Sequence, residues 1–333
     1  MSNCCPYTSL PQSDIAIEIE RLVKSIEQYN TPAFRLSGTR SGHKQPGRTR
    51  LSRHFDRIQQ MVDLFDDRCQ YRYSEHLQAF WDACQDIGLE RSCTGPVCLN
   101  ESATAYLDHH RSMNVLVERI RQLTGKQWYR RQKGDRRYEA SQQADRVCDY
   151  ADAMLAHYSR TLIIRVNLYY HQQAQVRQRV EQVFDDLDRL LAERERNPIY
   201  HHLIGYICAV EQGEDRGYHI HAAFFFNGNE VWADVYKAQQ IGELWERITR
   251  GQGYFHSCNH DKKKYEDKDE LGIGIIRQSD REIRPHVHKA MCYLVKDAQQ
   301  LRLKPLGARC LRVGAYFGPS GLPVSVHRDR PFR

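Results

Sequence analysis

Glu211-Gln212-Gly213-Glu214-Asp215-Arg216-Gly217-Tyr218-His219-Ile220-His221, followed 72 residues later by Tyr293-Leu294-Val295-Lys296, is the stretch on which the reading of this chain turns. In a strand, residues two apart share a face, so His219 and His221 project together while Ile220 enters the opposite, core-facing side. Glu211 ends a preceding apolar segment, and the short 211–217 connection predicts an antiparallel hairpin that brings its carboxylate towards both imidazoles. Such a mixed nitrogen and oxygen shell suits Mg²⁺ or Mn²⁺. Tyr293 and Lys296 are three residues apart, hence on one face of a predicted helix, with Met291, Leu294, Val295 and Ala298 on its buried side. A phenol is a weak nucleophile until nearby charge stabilises the phenolate, and a metal and Lys296 both offer such charge. Taken singly, each motif also suits a structural use: a hydrogen-bonded histidine pair on a strand, or a half-buried tyrosine beside a surface lysine. Together with the Phe224-Phe225-Phe226 core strand they point to a metal and a tyrosine nucleophile.

Outward from this centre, the pattern is strand-like at 161–170, 204–210, 218–226, 273–277 and 310–317. Helices are predicted at 172–195, 235–249 and 284–299, with a polar, Lys- and Asp-rich loop before the fourth strand. The order β-α-β-β-α-β-α-β predicts an α+β fold with a mainly antiparallel sheet and flanking helices. Before Ser159 the periodicity is helical at 12–30, 55–65, 77–84 and 103–123, so a mostly α-helical N-terminal domain is expected over 1–158. The sheet domain would span 159–318, and 319–333 reads as a basic tail. Residues Arg35 to Arg57, with seven basic side chains and Gly38, Gly42, Pro46 and Gly47, read as a flexible loop leading into a helix.

The 333 residues carry a net charge of +7, which leans towards a polyanionic partner. Arg48, Arg50 and Arg53 in the basic loop, and Arg130, Arg131, Arg136 and Arg137 in the Lys126–Tyr138 stretch with its interleaved aromatics, are the candidate DNA contacts. For the second group a solvated helix face fits equally well. Eleven cysteines with no apparent leader read as reduced thiols in a cytoplasmic protein. No apolar run approaches the roughly 20 residues of a membrane span, so no membrane partner is expected.

Other motifs carry less. Cys84, Cys93, Cys98 and His109 have spacing too irregular for a zinc site, and buried thiols explain them better. The His256-Ser257-Cys258-Asn259-His260 stretch alternates metal-capable side chains beside what reads as a solvated loop. His286 and His288 either face the same cleft as Tyr293 or simply occupy the first turn of its helix. No P-loop sequence occurs, which argues against a fused helicase.

The strings Gly217-Tyr218-His219-Ile220-His221 and Met291-Cys292-Tyr293-Leu294-Val295-Lys296 resemble the HUH endonucleases, most closely the inovirus gene-two-type replication proteins and their prophage YagK/YfjJ relatives. The resemblance spans about residues 160–318. It implies His219, His221 and Glu211 as ligands of Mg²⁺ or Mn²⁺, Tyr293 as the nucleophile and Lys296 as its helper. It further implies nicking of single-stranded or origin DNA to start rolling-circle replication, with a host helicase and polymerase as partners. The two-tyrosine pattern of some HUH enzymes is absent, since Lys289 and Asp297 stand one turn away. A related transposase or relaxase, and a DNA-binding regulator whose site no longer acts, are the competing expectations.

Overall fold

The computed structural model describes residues 10–36, 46–65, 70–295, 300–317 and 323–324. Its contacts divide the chain into two compact units, Met1–Arg136 with Arg302–Leu306, and Arg137–Leu301 with Gly307–Arg333.

The first unit is mainly helical, as the periodicity predicts. Helix Gln12–Gln28 buries Ile15, Ile19, Leu22, Val23 and Ile26 along one face, against helices Glu75–Asp86 and His109–Thr124. The latter starts at an Asp108 cap, whose side chain accepts from the Arg111 backbone N–H at 2.9 Å. The basic segment is not a simple loop. Phe34–Leu36 pairs antiparallel with Pro46–Arg48, the Asn114 side chain brackets the Phe34 backbone through two bonds of 2.8 and 2.9 Å, and a 3-10 helix follows at Ser52–Arg57. The Thr49 and Ser52 hydroxyls bond the Ala33 carbonyl, so side chains satisfy a backbone that glycine and proline leave irregular. Residues 37–45 lie outside the described set.

A buried polar group ties this unit together. Arg302 Nε lies 2.5 Å from Glu20 Oε2, and the strand after it, Leu303–Pro305, pairs with Tyr71–Tyr73. Burial alone would raise the Glu20 carboxyl, but Arg302 and Lys24 bring it down to about 2. Burial pushes the nearby His76 down to about 3; its Nδ1 sits 2.7 Å from the Tyr129 hydroxyl, which donates to Glu27 at 2.8 Å. Since His76 holds its proton less readily folded than unfolded, its contribution is intact above about pH 6.5 and falls as pH drops towards 3. Glu20 acts in the same direction over a lower range, losing its contribution as pH falls from about 4.5 towards 2. Between pH 7 and 5 the first unit is therefore expected to lose on the order of 2 kcal/mol through His76. Denaturant unfolding at the two pH values should show this, and His76→Gln should remove most of the difference; an unchanged difference would exclude His76 as its source.

The second unit begins inside a long helix, α1 (Gln127–His157), rather than near Ser159. The reason is packing: Val147, Tyr150, Ala151, Met154 and Leu155 recur at helical spacing and are buried in the core of the sheet unit. The sheet comprises β1 (Arg160–Tyr170), β2 (Leu203–Gly213), β3 (Gly217–Asn227), β4 (Gly253–Ser257), β5 (Gly274–Arg277) and β6 (Leu311–Val313). Its order is β6-β2-β3-β1-β4, with β5 sharing the outer edge of β1, and every pairing is antiparallel. β4, at one end of that order, was not apparent from sequence. The predicted helix after β1 divides into one turn, Gln172–Gln175, and the amphipathic α2 (Val180–Ala192), which buries Val183, Leu187 and Leu190. Gln175 donates instead to the carbonyls of Tyr170 and Arg216, at 2.9 and 3.3 Å.

The two faces of the sheet differ. Leu162, Ile164, Val166 and Leu168 share one face, and α3 (Asp234–Ile248) packs on β1 with the buried Trp245 donating to the Tyr169 carbonyl at 3.1 Å. Ile163, Ala223 and Phe225 belong to the other face, in a core shared with α1 and α4 (Arg284–Cys292). Gly205 of β2 permits the close approach of α1: a Cβ there would strike the Tyr150 hydroxyl and the Met154 sulfur. The expected last helix ends at Cys292 among the described residues. The last strand divides into β6 and a two-residue piece, Tyr316–Phe317, that pairs with Pro323–Val324. Of the expected 319–333 tail only 323–324 are described, and no helix among the described residues is long and apolar enough to cross a membrane.

Candidate metal centre

β2 and β3 form the predicted hairpin, closed by Glu214–Arg216 and by Gly217 at a φ of 58°, a left-handed turn position that glycine takes without strain. The register sets Glu211 opposite His219 and Ala209 opposite His221. Pleating therefore puts the carboxylate and both imidazoles on the face that carries Phe225 and Ala223 farther along β3. Apolar side chains fill that face where α1 and α4 cover it, and polar ones take over at the hairpin end.

All three groups are buried, at 2–4% exposure. His221 Nε2 lies 3.2 Å from both His219 Nε2 and Glu211 Oε2, and His219 Nε2 lies 3.8 Å from that oxygen. His219 Nδ1 is 3.1 Å from the Gly217 carbonyl, which can only accept, and His221 Nδ1 is 2.6 Å from Asn167 Oδ1. Both rings thus carry their proton on Nδ1 and turn an Nε2 lone pair towards Glu211. Burial, followed by the neighbouring His221, pushes His219 down to about 4, so it is neutral and able to donate at pH 7. Two imidazole lone pairs at this separation repel unless a cation lies between them. Ligands about 2.0–2.2 Å from one ion stand roughly 3–4 Å apart, so the three donors could hold one metal ion. They are the one such group of histidine, cysteine and carboxylate side chains found among the described residues.

Two residues not singled out in the sequence complete the surroundings. Asn167 of β1, opposite His221 in the register, orients that imidazole, as hydrogen-bond partners of metal-binding histidines commonly do. Its amide nitrogen stands 3.5 Å from His256 Nδ1, and His256 Nε2 stands 2.8 Å from Asp261. His256 is thus a β4 residue linked outward from the centre. Arg165, two positions before Asn167, is buried, and its Nε has no hydrogen-bond partner among the described residues. Its guanidinium carbon lies 4.3 Å over the ring of Tyr293. The readable signal for both was a polar residue at alternate positions of an otherwise apolar strand, 161–170.

Tyr293 caps α4, is 44% exposed, and stands edge-on to His221 with ring centroids 6.1 Å apart. The fold thus brings the expected nucleophile beside the expected ligands. Lys296 lies outside the described residues. His288 Nε2 instead contacts Asp152 Oδ2 at 2.9 Å. Cys84 and Cys98 are buried thiols, and His109 Nδ1 contacts the Pro96 carbonyl at 2.9 Å. Among the candidate DNA contacts, Arg48, Arg50, Arg53, Arg130, Arg131 and Arg137 are exposed. Arg136 is the exception, mostly buried and 3.6 Å from Glu75, and Tyr129 of the same stretch is buried too. The Lys126–Tyr138 stretch lies largely within α1, so part of its charge and aromatic surface is spent inside the first unit.

No curated protein and no solved structure matches the chain. The family model for the YagK/YfjJ C-terminal domain matches residues 119–253, a span that holds Asn167, Glu211, His219 and His221 and stops short of Tyr293, and in that span the chain is similar to the prophage YagK/YfjJ family.

Proposed function

We propose that this chain is an HUH-type, metal-dependent nickase and strand transferase that cuts single-stranded DNA at a specific site to start rolling-circle replication of a phage, prophage or plasmid-like element. The observation that carries the reading is the ring of Tyr293 set 6.1 Å from that of His221, beside three buried donors facing one point. The similarity to the YagK/YfjJ family supports it. Tyr293 Oη attacks the scissile phosphorus as its proton passes to water; the bond from phosphorus to the 3′ oxygen breaks and that oxygen takes up a proton. A 5′-phosphotyrosine and a free 3′-OH result, the latter a primer for a host polymerase, with unwinding left to a host helicase. Mg²⁺ or Mn²⁺ held by Glu211, His219 and His221 supplies Lewis-acid stabilisation of the charge on the phosphate oxygens. Arg165 sets a fixed positive charge against the nucleophile's ring, and Asn167 keeps the His221 lone pair on target. The exposed arginines supply sequence-independent phosphate affinity.

The test is incubation of the full chain with end-labelled single-stranded oligonucleotides tiling its neighbouring genome, in Mn²⁺. A covalent adduct that survives denaturing gel electrophoresis, and is lost in EDTA, is the expected result. Oligonucleotide binding with no adduct across the tiled set would instead favour a DNA-binding regulator.

A further inference from the structure

A row of rings leads out of the candidate metal centre. Tyr169 follows Asn167 by two positions on β1 and shares its face. The Tyr169 ring lies 5.5 Å from that of His219 at 34°. On its other side Tyr254, its cross-strand neighbour on β4, stacks at 5.2 Å and 29°, and Tyr254 stacks in turn on His171 at 5.0 Å and 30°. Exposure rises along the row: His219 is buried, Tyr169 and Tyr254 are half-buried, and His171 is exposed. Arg216, exposed in the hairpin turn, holds its guanidinium carbon 5.0 Å over Tyr169 and donates from Nη1 to the Tyr254 hydroxyl at 2.9 Å.

A row built only to fill a core would end under other side chains. This one ends on an open imidazole at the sheet edge, with a cation alongside. Exposed stacked rings beside an arginine suit a flat, electron-rich ring joined to an anion, which is the chemistry of a nucleotide in an unpaired strand. We propose that Tyr169, Tyr254, His171 and Arg216 form a stacking platform that holds one or two unpaired nucleobases next to the phosphate at the metal centre. The identity of the polymer as single-stranded DNA rests on the nickase reading; the platform itself rests on the ring row.

The experiment measures binding of a fluorescein-labelled 20-mer of thymidine to the full chain by anisotropy in EDTA, where no cutting competes. Tyr254→Ala is expected to weaken binding about 5- to 100-fold, the range for loss of one base–aromatic stack. Tyr254→Phe keeps the ring and should stay within about 3-fold of wild type, and Arg216→Gln should flatten the salt dependence by roughly one phosphate contact. A duplex of equal length and an abasic strand should not distinguish Tyr254→Ala from wild type. Should Tyr254→Ala fail to fold, His171→Ala, at the exposed end of the row, asks the same question. Unchanged 20-mer binding by a folded variant, or equal weakening towards the abasic strand, would overturn the platform. Base-dependent binding without a covalent adduct would uphold the platform and sink the nickase reading, whereas an adduct with variant-insensitive binding would do the reverse.

Discussion

Tyr293→Phe is expected to form no covalent adduct with single-stranded DNA and to lower nicking at least about a thousandfold. The substitution deletes the one atom that must bond phosphorus and keeps nearly everything else. The ring can still lie over Arg165 and edge-on to His221. Because the side chain is 44% exposed, stability should stay within about 0.5 kcal/mol of wild type. Adduct gels and thermal melts run in parallel separate loss of the nucleophile from loss of the fold. Nicking at the wild-type rate would remove Tyr293 from the mechanism.

His221→Ala should weaken Mn²⁺ binding at least about a hundredfold by calorimetry, since it takes away one of three donors and the pivot between the other two. Asn167→Ala should fall within about 10- to 100-fold, the usual cost of freeing a metal-bound imidazole to rotate. Both should lose Mn²⁺-dependent adduct formation in that order of severity. Affinity for single-stranded DNA in EDTA should persist, because phosphate attraction is spread over many exposed arginines. The ordering matters: equal losses would mean that Asn167 has a role beyond orienting His221. Cleavage by wild type that EDTA leaves untouched would dismiss the metal altogether.

What the sequence disclosed and what it hid follow from how far apart the cooperating residues lie. Glu211, His219 and His221 were legible because a strand has period two and a short turn fixes the register, so eleven consecutive residues determine a geometry. Asn167 was not, because its contact with His221 spans 54 positions and depends on which strand pairs with β3. Arg165 over Tyr293 needs the placement of α4 as well. β4 escaped notice because it is five residues long and starts at Gly253 just after Gly251, a pair that reads as turn. The division within α1 was hidden since helical periodicity says that a face is buried but not by which unit. The early end of α4 at Cys292 was equally unreadable: Leu294 and Val295 continue the apolar pattern and are indeed buried, but in a turn.

The hairpin has one more consequence, and it is kinetic. Its donors lie within the span from Glu211 to His221, so they meet by closing a loop of a few residues, at small entropic cost. Hairpins of this kind form on a timescale of roughly 1–10 μs. The pairing of β1 with β3, and the docking of α1 and α4, require far larger closures and come later in a chain of this topology. The three donors are therefore gathered early in folding, before Asn167 arrives to fix the tautomer of His221. A cation that binds these donors would meet a loose, water-accessible version of the site first, with the rest of the unit still to fold around it.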